Sequence, residues 1–85
     1  MEKNTRTIVI TGASSGVGRA IALEFARYGE RLVLASRNSK ALEEVAEECW
    51  QLGAEVKCVA TDTSNYREIL NLAAEADEFG SGIDV

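Results

Sequence analysis

The chain has 85 residues, of which 9 are Lys or Arg, 14 are Asp or Glu and none is His, for a formal net charge of −5. This length allows one small domain at most, the acidic balance argues against nucleic acid as a partner, and the lack of histidine excludes His-dependent acid–base or triad chemistry within these residues. A hydrophobic fraction of 46% beside 27% charged residues is that of a folded chain rather than a disordered one, and no apolar run approaches the ~20 residues of a membrane-spanning helix.

The polar start Met1–Arg6 has no apolar stretch or small-residue cleavage site, so a cytoplasmic location is expected. Thr7-Ile8-Val9-Ile10 predicts a first strand, and Thr11–Gly18 follows as T-G-A-S-S-G-V-G. Apolar residues then recur at three- and four-residue spacing, predicting a first helix whose buried face carries Val17, Ala20, Ile21, Phe25 and Tyr28 and which Gly29 ends. Arg31–Ala35 has the continuous apolar character of a parallel strand. Asn38 or Ser39 can cap a second helix, with Leu42, Val45, Ala46, Cys49 and Trp50 on its apolar side and Glu43, Glu44, Glu47 and Glu48 largely opposite. Glu55–Ala60 is a third strand. Asp62-Thr63-Ser64 is expected to begin a third helix carrying Ile69, Leu70, Ala73 and Ala76, and Gly80-Ser81-Gly82 breaks the pattern before Ile83-Asp84-Val85 starts a fourth strand. Cys49 and Cys58 lack C-x-x-C spacing and histidine neighbours, so both read as small buried hydrophobes and no metal site is expected.

The order β-α-β-α-β-α-(β) demands parallel strands joined by right-handed crossovers, an α/β architecture that forms the first half of a doubly wound sheet. Residues 1–85 are read as a single, incomplete dinucleotide-binding domain. Strands one to three run outward, the third helix crosses back, and the fourth strand pairs beside the first, with the ligand crevice between strands one and four. With the fourth strand barely begun, one wall of that crevice is expected to be missing.

The placement of the glycine turn between a strand and a helix points to phosphate binding, because glycines let the backbone approach a pyrophosphate and the N–H groups and dipole of the following helix favour negative charge. A tightly packed strand-to-helix turn is the other reading of the same residues. The spacing G-x-x-x-G-x-G at Gly12, Gly16 and Gly18 differs from the common G-x-G-x-x-G fingerprint. With Thr11 in front, it resembles the T-G-x-x-x-G-x-G pattern of the short-chain dehydrogenase/reductase family, and the resemblance extends over nearly the whole chain. It implies a Rossmann-type fold, a bound nicotinamide dinucleotide, hydride transfer between nicotinamide and a carbonyl or alcohol carbon, and a homo-oligomer for the full-length protein.

Ser14, Ser15, Gly16, Val17 and Gly18, with Gly12, are the candidate pyrophosphate residues, and the resemblance puts Ser14 close to the adenosine ribose and its 2′-phosphate. At the end of the second strand, where an acidic residue would hold a ribose 2′-OH, the chain has Ser36 followed by Arg37. The guanidinium can take a phosphate through two parallel hydrogen bonds, so this pair resembles the NADP(H)-preferring pattern. Arg19 and Lys40 are weaker candidates for the same phosphate, and each also reads as a solvated surface charge. Asp62 matches the family position that contacts the adenine edge, with the Thr63 amide beside it, although both are equally helix-capping types. Asp84 reads as structural.

No catalytic residue can be assigned. The family's Tyr-x-x-x-Lys has no counterpart, because Leu32 and Leu70 stand four residues after Tyr28 and Tyr66. The expected function is therefore an NADP(H)-dependent oxidoreductase of the short-chain type, present as its N-terminal cofactor-binding portion and inactive by itself. The alternatives are a non-catalytic nucleotide-binding module and a fragment that associates through an exposed sheet edge. The substrate lies beyond these residues.

Overall fold

Side-chain alternation along the first two strands supplies both faces of a parallel sheet. The computed structural model describes residues 7–79 and the backbone of Ile83 and Asp84; the polar start 1–6, the Gly80-Ser81-Gly82 break and Val85 lie outside the described residues. The elements are β1 (Thr7–Thr11), α1 (Gly16–Ala26), β2 (Arg31–Ser36), α2 (Ser39–Gln51), β3 (Glu55–Ala60), α3 (Tyr66–Phe79) and β4 (Ile83–Asp84). They form a parallel sheet in the order β3-β2-β1-β4, as the doubly wound reading requires. Thr7 is in register with Arg31 and with Ile83, so β4 lies beside the start of β1.

One face of the sheet carries Ile8, Ile10, Leu32 and Leu34 against Ala22 and Ala26 of α1 and Leu42, Val45, Ala46 and Cys49 of α2. The other carries Val9, Val33, Ala35 and Val59 against Leu72, Ala76 and Phe79 of α3. Burial on both faces explains why β1 and β2 read as continuous apolar runs. No described helix is long and apolar enough to cross a membrane.

Three helix faces differ from expectation. In α1 the buried positions are Gly18, Ala22 and Ala26, while Val17 is 75% and Tyr28 64% exposed. The helix lies so close to the sheet that only small side chains fit beneath it, so the large apolar residues flank the contact or point away; Leu23 and Phe25 pack at its margin. In α2 the buried set is as expected except for Trp50, which is mostly exposed. In α3 Leu72 and Ala76 are buried, whereas Ile69, Leu70 and Ala73 are exposed. The start of α3 also moves, to Tyr66, because Asn65 caps it: the Asn65 side-chain oxygen accepts from the Arg67 and Glu68 amides at 3.0 and 3.3 Å. Cys49 is buried but Cys58 is exposed, since β3 is an edge strand covered on one flank only.

Candidate functional site

The glycine turn is a closed local structure. Gly12 adopts φ +64°, a left-handed conformation that disfavours any side chain. This bends the chain so that the first turn of α1 comes back over it. A Cβ on Gly18 would lie 2.1 Å from the Gly12 carbonyl oxygen and 3.0 Å from the Ala13 Cα, so only glycine permits the approach. Ser15 caps α1; its hydroxyl donates to the Gly12 carbonyl at 2.7 Å and accepts from the Gly18 amide at 3.3 Å. That hydroxyl therefore holds the turn together.

Gly16 is different. It opens α1 without positive φ, and a Cβ there would meet nothing within 4 Å. Its amide and that of Val17 have no hydrogen-bond partner among the described residues. These are two of the donors every helix N-terminus leaves unsatisfied, and with the helix dipole they favour an anion. The space above Gly16 and the two free amides fit a pyrophosphate laid against the turn.

Beside the turn, the carboxyl ends of β1, β2 and β3 form a cleft of about 380 Å³ lined by Gly12, Ser14, Ser36, Arg37, Asn38, Thr61 and Thr63. The register of the sheet assembles it: Thr11 pairs with Ala35 and Ser36 with Ala60, so the three following loops leave together. Ser14 donates to the Ser36 hydroxyl at 2.9 Å, and the Asn38 amide donates to the same oxygen at 3.0 Å. The Thr61 amide bonds the Ser36 carbonyl at 2.9 Å. Arg37 carries the only formal charge among the lining residues; its guanidinium is exposed and forms no ion pair among the described residues.

Asp62 lies between Thr61 and Thr63 but is not among the lining residues. Its carboxylate accepts from the Ser64 hydroxyl at 2.7 Å and the Ser64 amide at 3.0 Å. These two bonds hold its carboxyl below the usual carboxylate range, with a smaller contribution from the Arg37 charge. The side chain thus closes a turn on Ser64 and does not cap α3. Arg19 is engaged elsewhere: it makes a two-pronged contact with Glu48, at 3.0 and 2.6 Å, tying α1 to α2. Lys40 lines a second cleft with Arg19, but Glu43, Glu44, Glu47 and Glu48 line it as well, and four carboxylates repel a phosphate.

Asn38 as a lining residue, Thr61 and Glu68 were not singled out from sequence. Thr61 follows the last residue of β3 and is 2% exposed, so the equal reach of β2 and β3 was the signal that marked it. Glu68 reaches back six residues to accept from the Asp62 amide at 2.7 Å. Nothing in its spacing announces that contact.

Known proteins resemble this chain along most of its length. It is 47% identical over 66 residues to 17-beta-hydroxysteroid dehydrogenase 13 of Mus musculus, a match covering 78% of this chain and 22% of that protein. It is 42% identical over 82 residues to the hydroxysteroid 11-beta-dehydrogenase 1-like protein of Xenopus tropicalis, covering 95% of this chain and 28% of that one. The chain thus spans about a quarter of the length of these relatives. An alcohol dehydrogenase from the archaeon Thermococcus sibiricus, complexed with 5-hydroxy-NADP, superposes with a TM-score of 0.90 at 35% identity over 95% of this chain and 35% of that one. The sequence model described as short chain dehydrogenase matches residues 6–85, and the chain belongs to that family of oxidoreductases.

Proposed function

We propose that this chain is the cofactor-binding N-terminal portion of an NADP(H)-dependent short-chain oxidoreductase acting on a carbonyl or alcohol carbon. The observation that carries the cofactor preference is the cleft at the strand ends, whose lining includes Arg37 and, among the described residues, no carboxylate. When bound, the cofactor supplies the hydride donor or acceptor. The free amides of Gly16 and Val17 hold the pyrophosphate, with Gly12 and Gly18 shaping the turn. Arg37 takes the 2′-phosphate through paired charge-assisted hydrogen bonds, and Ser36, whose hydroxyl oxygen is held by the Ser14 O–H at 2.9 Å, turns its own O–H to the same group. The Thr63 amide faces adenine, while Asp62 shapes the loop beside it.

Tyr28 and Tyr66, both exposed, have no Lys at the spacing the reaction uses, so the 85-residue chain does not turn over substrate by itself. A cytoplasmic, homo-oligomeric full-length protein belongs to the same reading. The names of the relatives, hydroxysteroid and alcohol dehydrogenases, support a substrate that carries an alcohol or ketone group. A second reading is a fragment that associates through its sheet edge; among the described residues β4 is in register with Thr7 and Ile8 of β1. Sedimentation showing a clean monomer would remove it.

Calorimetric titration with NADP⁺ and NAD⁺ tests the cofactor assignment. The phosphorylated form is expected to bind about tenfold more tightly, the effect of one good charge-assisted contact, and Arg37→Ala to abolish most of that ratio. An unchanged ratio in Arg37→Ala overturns the assignment.

A further inference from the structure

Glu68 is the third residue of α3, where a glutamate ordinarily reaches back to the amide of the capping residue. Here the Asn65 amide is already taken by the Asp62 carbonyl at 2.9 Å, and the Glu68 carboxylate passes over it to the Asp62 amide at 2.7 Å. That amide opens the loop whose Thr61 and Thr63 line the cleft. The Thr61 amide ties the near end of the loop to the Ser36 carbonyl, and Asn65 anchors the far end to α3. Glu68 fastens the loop at Asp62 from α3, beside the turn that the Asp62 carboxylate closes on Ser64, and it is not among the described lining residues.

From this geometry we propose that Glu68 is a positioning residue for the adenine side of the cofactor cleft, an assignment that rests on the cofactor reading above. It acts through the Asp62 amide: the carboxylate fixes the Thr61–Asp62 peptide, and so the course of the loop on which Thr61 and Thr63 face the ligand. The role requires an acceptor at that place rather than a negative charge. Gln keeps the acceptor and Ala removes it.

The test compares the wild-type chain with Glu68→Ala, Glu68→Gln and Asn65→Ala, titrated with adenosine 2′,5′-bisphosphate and followed by thermal melting. Glu68→Ala is expected to weaken binding about fivefold to tenfold, Glu68→Gln to stay within about twofold, and Asn65→Ala to lower the melting temperature without the loss of affinity. The last variant removes the α3 cap while leaving the Asp62 contact, so it separates positioning from general stability. Glu68→Ala binding like wild type overturns the proposal, as does an equal affinity loss in Asn65→Ala. Wild-type protein that binds no adenosine nucleotide overturns the cofactor reading along with it.

Discussion

Gly18 and Gly16 stand two residues apart in the same turn and are glycine for opposite reasons. Gly18 faces inward, where a Cβ would lie 2.1 Å from the Gly12 carbonyl oxygen. Gly16 faces outward, where a Cβ would meet nothing within 4 Å. The first is a requirement of the fold, since it lets α1 begin directly on top of β1. The second has no cause within the described chain, either in backbone conformation or in packing, and the cause that fits is the close approach of a ligand. On the proposed cofactor reading, one motif joins a folding constraint to a binding constraint, and the same substitution at each glycine should separate them.

The largest effect is expected at the inward position. Gly18→Ala forces the Gly12–Ala13 backbone to move and should destabilise by on the order of 3 kcal/mol. For a chain this small that removes much of the stability, and circular dichroism melting measures it. A melting point equal to wild type would mean that the turn and α1 are not packed as described. Ser15→Ala is next. It deletes the hydroxyl that bridges Gly12 and Gly18 and caps α1, for a loss of about 1 kcal/mol in chemical denaturation. A loss near zero would make the cap dispensable and leave Gly18 alone in holding the turn.

The smallest effect lies on α2 and β3, outside the turn itself, and serves as a control on the packing. Burial, with the Glu48 charge adding to it, pushes the Cys49 thiol up to about 11, and burial followed by Glu43 raises Cys58 as well. A raised thiol pKa leaves less thiolate, so both react slowly at pH 8. Cys58, on the edge strand and exposed, should still be alkylated first, while Cys49 waits for unfolding. Mass spectrometry of partly alkylated protein reads the order, and the reverse order would contradict the α2–sheet packing.

The strands were legible because burial on both faces of a parallel sheet produces uninterrupted apolar runs, as in Arg31–Ala35. The helix faces were less so. Periodicity selects large apolar residues such as Val17 and Ile21, whereas close packing on the sheet selects Gly18, Ala22 and Ala26, whose small size carries a weak signal. The start of α3 was misplaced because Asp62 and Ser64 have capping chemistry but spend it on each other. Within the cleft, the glycine spacing and Ser36-Arg37 could be read locally. Asn38 and Thr61 join them only through strand register, and Glu68 only through a contact across a loop.

The central claim is that the bare face of Gly16 is space kept for a pyrophosphate, and Gly16→Ala tests it most directly. Thermal melting should place this variant within about 1 kcal/mol of wild type, on the stabilising side, because alanine is the better helix residue and its methyl group meets no neighbour. Calorimetric titration of the same sample with NADP⁺ should show binding weakened about tenfold or more, the cost of one misfit at a close contact. A variant that melts like wild type and binds NADP⁺ with undiminished affinity would contradict the account.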